Sequence, residues 1–283
     1  MPKSEGQDAY SSVTKASGHL PKSDTSSGIQ SEQIGLDEFI RTPYLNVLTY
    51  PRPNIPVAKR RLKQLQKLGV KQVTFGGRTK IGRLGLVGIG TVSLVVRASV
   101  EGETYALKIR RTDANRESML NEYALTQMAN RVGVGAFAYA ATEDFMLMQL
   151  VEGEDLYEHL KTIIGVGTRG RTREIVHLLL NQCRKLDLIN LDHGQLSDLR
   201  KHVIMAGDEP YIIDFESGSR DRTPKNVTTS SQHLFIGGRC APLMKRLLGM
   251  KSHEPILQAL KRYKKDMSDE NFVRLLLTVG IVT

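Results

Sequence analysis

Apolar and polar positions alternate in three different rhythms along the chain, and the changes of rhythm divide it. Residues 1–35 carry few large apolar side chains and many Ser, Gly, Lys and Asp. Such a segment buries too little surface to offset its ordering entropy, so it reads as a disordered tail. Residues 36–80 form an extension without a recognisable motif. Within it Ala58, Leu62 and Leu65 recur at helical spacing. Asn54 is a cap, Pro56 fits the first turn and Gly69 stops the helix, which predicts Ile55 to Leu68. Val70 to Phe75 then reads as a short strand.

The second rhythm is dense in β-branched residues and glycine. Ile81 to Val87, Val92 to Val100 and Thr104 to Ile109 are predicted strands, with Glu101-Gly102-Glu103 as the turn between the last two. Met119 and Tyr123, with Leu120, Ala124 and Met128, place a helix over Asn115 to Val132. Strands around Ala136 to Thr142 and Phe145 to Leu150 close this half. The third rhythm is helical. Leu156 to Ile163 and Arg173 to Ile189 are predicted helices, the second apolar on most sides and therefore central. Val203 to Met205 and Tyr211 to Ile213 form a short β pair around Gly207-Asp208. Ser231 to Val282 reads as helices broken at Gly249 and near Ser268. A β-rich half with one helix (81–150) followed by a mainly helical half (151–283) is an α+β, two-lobed arrangement.

Composition adds little to that picture. The 283 residues suffice for one two-lobed unit, and 40% hydrophobic with 25% charged residues allows a packed soluble core. No apolar run reaches the ~18 residues of a membrane span, and Met1 to Ser31 lacks a secretory leader, so the expected address is cytoplasmic with no membrane partner. Cys183 and Cys240 read as reduced thiols. The net charge of +10 suits an anionic partner. Its basic runs, Lys59-Arg60-Arg61 with Lys63 and Lys67, and Lys261-Arg262 with Lys264-Lys265, read as solvated helix faces, with an RNA-facing patch as the alternative.

The chemistry-bearing residues follow in a definite order. Gly85-Leu86-Val87-Gly88-Ile89-Gly90 lies where glycines let backbone N–H groups approach phosphate. Lys108 sits inside an apolar strand, which is costly unless its charge is paired. Glu122, in the middle of the following helix, is the expected partner, with Glu117 as competitor. His193-Gly194-Gln195-Leu196-Ser197 follows the long helix. Tyr211-Ile212-Ile213-Asp214-Phe215-Glu216 then ends an apolar strand on a carboxylate suited to a phosphate-bound cation.

On these motifs, residues 81–235 resemble the protein-kinase-like superfamily, most closely the atypical RIO kinases and the small kinase of the KEOPS tRNA-modification complex. His193-Gly194-Gln195-Leu196-Ser197 is similar to their His-Gly-Asp-Leu-Ser/Thr loop. Met148-Gln149-Leu150-Val151-Glu152-Gly153 is similar to the hinge that receives adenine. The resemblance implies ATP and Mg²⁺ (or Mn²⁺) as cofactors. Gly85, Gly88 and Gly90 would line the phosphates, and Val92, Ala106, Gln149 and Val151 would complete the nucleotide site. Lys108, paired with Glu122, would contact phosphate, and Asp214 would hold the metal above Phe215. His193 would orient the loop rather than act as a base.

The departures from the family pattern are specific. Gln195 stands at the position of the catalytic aspartate, and an amide positions a hydroxyl but cannot take its proton. The metal-binding asparagine falls at Arg200 or, by the better local match, at His202. Glu216 replaces a glycine and offers a further carboxylate to metal. Asp192 and Asp198 flank the loop as substitute bases. The implied activity is an ATP-dependent serine/threonine protein kinase with an unidentified protein substrate. The alternatives are a pseudokinase or ATPase-type switch on an RNA–protein complex, and a small-molecule kinase of the aminoglycoside or choline type, suggested by Ile213-Asp214-Phe215-Glu216. Thr228, Thr229, Ser230 and Ser231 are candidate self-phosphorylation sites, with a plain polar loop as the alternative.

Overall fold

The structure is a computed structural model that describes residues 31–164, 168–249 and 252–282. Residues 1–30 of the expected tail lie outside the described residues, but its last residues do not behave as a tail. Glu32–Gly35 form strand β1, followed by the short helix α1 (Leu45–Leu48), α2 (Ile55–Lys67) and β2 (Gln72–Phe75). β1 and β2 pair antiparallel, Glu32 opposite Phe75. α2 starts as expected: the Asn54 side chain accepts the Val57 N–H at 3.0 Å, and Pro56 occupies the first turn.

Next come β3 (Thr79–Ile81), β4 (Leu84–Leu86), β5 (Gly88–Ile89), β6 (Ser93–Val100) and β7 (Glu103–Arg110). The single strand expected over Ile81 to Val87 is split. β3 and β4 form their own hairpin, Ile81 opposite Leu84, and β5 pairs separately with β6. The β6–β7 turn is the one expected: Glu101 and Gly102 both take positive φ (52° and 88°), the twist that a two-residue hairpin requires. The helix α3 begins at Leu120 rather than near Asn115 and runs to Arg131. Ser118 Oγ accepts the Leu120 N–H at 3.0 Å, and that local bond marks the start. β8 (Ala138–Ala141) and β9 (Phe145–Gln149) complete a sheet of order β1-β2-β6-β7-β9-β8, with β5 also on β6.

The remaining chain is β10 (Glu154–Asp155), α4 (Leu156–Thr162), α5 (Thr168–Leu188), α6 (Leu199–His202), β11 (Val203–Ala206), β12 (Glu209–Ile212), a 3-10 turn (Phe215–Ser217), α7 (Asn226–Phe235), α8 (Ala241–Leu248), α9 (Glu254–Lys265) and α10 (Asp269–Thr278). α5 is central: Leu179, Leu180, Cys183 and Leu186 are all fully buried in a core shared with Phe215, Phe235 and Tyr263. Among the described residues no helix is long and apolar enough to cross a membrane. The architecture is mixed α+β, an antiparallel sheet followed by helices.

The extension over 36–80 is an integral part of the sheet half. Phe39, Leu48, Leu65, Val73 and Phe75 share one buried core with Leu94, Val96, Leu107 and Phe145 of the sheet. Arg61, expected on a solvated basic face, is fully buried. Its guanidinium donates to the Leu48 and Arg110 carbonyls at 2.6 Å each and to Asp144 Oδ1 at 2.8 Å. Asp144, just before β9, also receives Arg60, Gln64 and Arg110. Lys59, Lys63 and Lys67 remain exposed on α2, as do Lys261, Arg262, Lys264 and Lys265 on α9.

Candidate functional site

Strand alternation decides which way Lys108 faces. Leu107 and Ile109 enter the core shared with the extension. Lys108 and Ala106 face the opposite side, toward α3. There Lys108 Nζ donates to Glu122 Oε1 at 2.5 Å and to Asp214 Oδ1 at 3.0 Å. Lys108 and Glu122 are each only 5% exposed, and the rival Glu117 is exposed to solvent. Burial works against the Lys108 charge, but the two carboxylates overcome it and hold the ammonium above the usual lysine range. Burial pushes the Glu122 carboxyl up in spite of Lys108. Burial also acts on Asp214, but the Lys108 charge outweighs it and holds that carboxyl below the ordinary range.

Asp214 has φ 71° and ψ 72°, a left-handed backbone that is uncommon for a residue with a side chain. It follows β12 and opens the 3-10 turn, so the strained residue is also the one that meets Lys108. His193 holds this corner in place. Its ring is wholly buried, its Nε2 donates to the Ile213 carbonyl at 3.0 Å, and it packs on Phe215 at 4.9 Å. Burial lowers its pKa to about 4, so the ring is neutral at ordinary pH. The loop carrying it is braced from α7: Asn226 accepts the His193 N–H at 2.9 Å and donates to the Leu191 carbonyl, while Asp187 accepts from Asn226. The sequence reading missed Asn226 and Asp187 as positioning residues, because neither lies in a motif.

Lys108 and Asp214 border a cavity of about 890 Å³ between the sheet and the helical half. Gly88, Gly90, Ala106, Lys108, Gln149, Val151, Gln195, His202, Asp214 and Glu216 all line it. Gly85, Val92 and Glu122 do not, Glu122 reaching the site only through Lys108. Gly85 lies within β4, where an added Cβ would sit 2.8 Å from the Gly77 carbonyl oxygen, so its smallness serves strand packing. Val92 is 5% exposed and lies off the wall; Ser93 and Val95 occupy the wall instead. Val95 stands opposite Lys108 in the β6–β7 register, a signal available once that register is known. Arg111 and Lys201 are further wall residues to which the sequence assigned no role.

Gln195 faces the cavity, and its buried Oε1 has no hydrogen-bond partner. Of the two flanking acids, Asp198 is on the wall, gripped by Arg200 through two 3.0 Å bonds. Burial raises its carboxyl, but the Arg200 bonds prevail and hold it low. Asp192 lies off the wall and is bound to Arg222 at 2.9 Å. Thr228, Thr229, Ser230 and Ser231 lie on α7 rather than on a loop, and Ser230 and Ser231 are fully buried. Packing of α7 against α5 removes the Ser230 hydroxyl from solvent, with its Oγ 3.2 Å from Cys183 Sγ.

Asp214, His202 and Glu216 do not form a ready-made cage. Among the described residues no group of three or more His, Cys, Asp or Glu stands in metal-holding geometry. His202 Nδ1 lies 3.9 Å from Asp214 Oδ2 and has no hydrogen-bond partner. Burial lowers the His202 pKa. Glu216 is half-buried, and that burial together with the Asp214 charge raises its carboxyl. Glu122 and Asp214 share the Lys108 ammonium, and Glu216, Asp198, Arg111 and Lys201 add further charges of both signs to the cavity wall.

No family model matches the chain. An uncharacterized protein of Methanocaldococcus jannaschii is 29% identical over 120 residues, which make up 42% of this chain and 99% of that protein.

Proposed function

We propose that this chain has a two-lobed, protein-kinase-like fold and acts as an atypical serine/threonine protein kinase, using ATP with a divalent cation. The observation that carries the reading is the buried Lys108–Glu122 pair, shared with Asp214 at the base of the cavity. A lysine fixed in that way is a preset positive charge for phosphate. The flanking wall fits the rest of the ligand. Gly88 and Gly90 leave room for phosphates, and Gln149 to Val151 border the apolar end with Ala106, Met148 and Ile213.

The acceptor hydroxyl oxygen would bond to the terminal phosphorus as the bond to the departing diphosphate breaks. Gln195 orients that hydroxyl through its amide oxygen, and the proton leaves to solvent, since no carboxylate stands at that position. A cation bound at Asp214 supplies neutralisation of the phosphate charge.

A second reading, a nucleotide-dependent switch with little transfer, is favoured by Gln195 and by the Arg200 grip on Asp198. The exposed basic faces of α2 and α9 would then suit an RNA–protein partner.

Transfer from γ-labelled ATP, with Mg²⁺ and with Mn²⁺, tests the proposal on wild type, Lys108→Ala and Asp214→Ala. Label on protein that both variants lose supports the kinase. Free phosphate alone, also lost in both, favours the switch. A rate sharply raised by Gln195→Asp would identify the amide as the limit on transfer. ATP turnover unaffected by either Lys108→Ala or Asp214→Ala overturns both readings.

A further inference from the structure

His202 is on the cavity wall, only 7% exposed, yet its Nδ1 has no hydrogen-bond partner. A buried ring nitrogen left unpaired in that way carries a desolvation cost that a ligand would remove. The ring is not free to turn away. It packs edge-on to His193 at 5.3 Å, and the His202 carbonyl accepts the Ile213 N–H at 3.0 Å. The nearest acidic atom is Asp214 Oδ2 at 3.9 Å, while the other oxygen of that carboxylate is taken by Lys108. The gap is too wide for a hydrogen bond, and because two ligand atoms on one ion at about 2.1 Å stand about 3.0–3.4 Å apart, a shared ion would draw the two side chains together by about half an ångström or more.

We propose that His202 Nδ1 and Asp214 Oδ2 are a paired nitrogen–oxygen ligand set, which makes this site select a divalent ion of the manganese, cobalt or zinc kind over magnesium. Imidazole suits those ions, whereas magnesium takes oxygen ligands and keeps its waters. Two protein ligands suffice because phosphate oxygens and water fill the remaining positions. The inference rests on the nucleotide reading above and adds to it the identity of the ion.

The test uses the full chain with a non-hydrolysable ATP analogue. Free Mn²⁺ is followed by electron paramagnetic resonance, Mg²⁺ binding by calorimetry, and both are compared in wild type and His202→Asn. The expected result is that Mn²⁺ affinity falls about tenfold in His202→Asn while Mg²⁺ affinity is unchanged or rises, because the amide oxygen is itself a magnesium ligand. A second measurement needs no variant. Wild-type protein carrying nitrogen-isotope-labelled histidine should show label-dependent modulation in the electron spin echo of bound Mn²⁺. Equal changes for the two ions, or an echo insensitive to the label, overturn the proposal. Analogue binding in chelator, measured for wild type and Lys108→Ala, separates the two failures. Lys108-dependent binding without any manganese preference sinks the ion assignment alone. No analogue binding under any condition sinks the nucleotide reading and this one with it.

Discussion

Replacing Asp144 by Asn should destabilise the protein by about 2–3 kcal/mol at neutral pH, and the deficit should shrink in acid. The carboxylate is fully buried and accepts from Arg61 at 2.8 Å, Gln64 at 2.9 Å, Arg110 at 2.7 Å and Arg60 at 3.2 Å. Burial alone would raise its pKa, but the Arg61 bond and charge, with the Gln64 and Arg110 bonds, hold it at about 2, against an ordinary value of 3.8. A folded-state pKa below the unfolded one contributes stability above the unfolded value. A fall of that size corresponds to about 2 kcal/mol, present in full above about pH 4 and lost as pH drops toward 2. Asp144→Ala should cost more, about 3–5 kcal/mol, because Arg61 then keeps a buried charge with only the Leu48 and Arg110 carbonyls to receive it. Urea unfolding of wild type and both variants, followed by circular dichroism from pH 7 down to pH 2, reads these differences. A wild-type to Asp144→Asn gap below about 0.5 kcal/mol at pH 7, or one as large at pH 2 as at pH 7, would refute the reasoning.

Two further outcomes follow from packing. Cys183 and Cys240 are fully buried, and burial pushes both thiols up to about 12, so neither should react with an aromatic disulfide reagent at pH 8 until the chain unfolds. Rapid labelling of folded protein would contradict this. Gly85→Ala should lower thermal stability, by about 1–3 kcal/mol, because its Cβ meets the Gly77 carbonyl oxygen at 2.8 Å and the Gly77 nitrogen at 2.9 Å. Gly88→Ala meets nothing within 4 Å and should melt like wild type, so any defect it has appears in ligand binding. Equal melting of the two variants would remove the distinction drawn between these glycines.

The order of chemistry-bearing residues was legible because it rests on local rules. A lysine in an apolar strand demands a partner, and helical spacing put Glu122, not Glu117, on the inward face. The β6–β7 turn was legible for the same reason, since Glu101-Gly102 tolerates positive φ. The extension was not. Its core residues, Phe39, Leu45, Val47 and Leu48, have no sustained period, and Arg61 reads as solvated because its acceptors, the Leu48 and Arg110 carbonyls and Asp144, are distant or backbone groups. Gly85 and Val92 were misplaced for a geometric reason. A glycine run contains both packing and wall positions, and only strand register tells them apart. Ser230 looks like a loop hydroxyl in one dimension because the partner it packs against, Cys183 of α5, lies more than forty residues earlier.

The extension changes where the smallest self-sufficient piece of this chain begins. Leu94, Val96, Leu107 and Phe145 cover one face of the sheet and are themselves covered by residues between Phe39 and Phe75. A fragment cut at the glycine hairpin would therefore present an uncovered apolar sheet face and an open edge on β6, the conditions for self-association. The strand that carries Lys108 would also lose the anchorage of its end, because the Arg110 carbonyl accepts from Arg61 of α2 and Asp144 beside it accepts from Arg61 and Gln64. A heterologously expressed piece beginning near residue 81 should thus aggregate, whereas one beginning near residue 31 should remain dispersed.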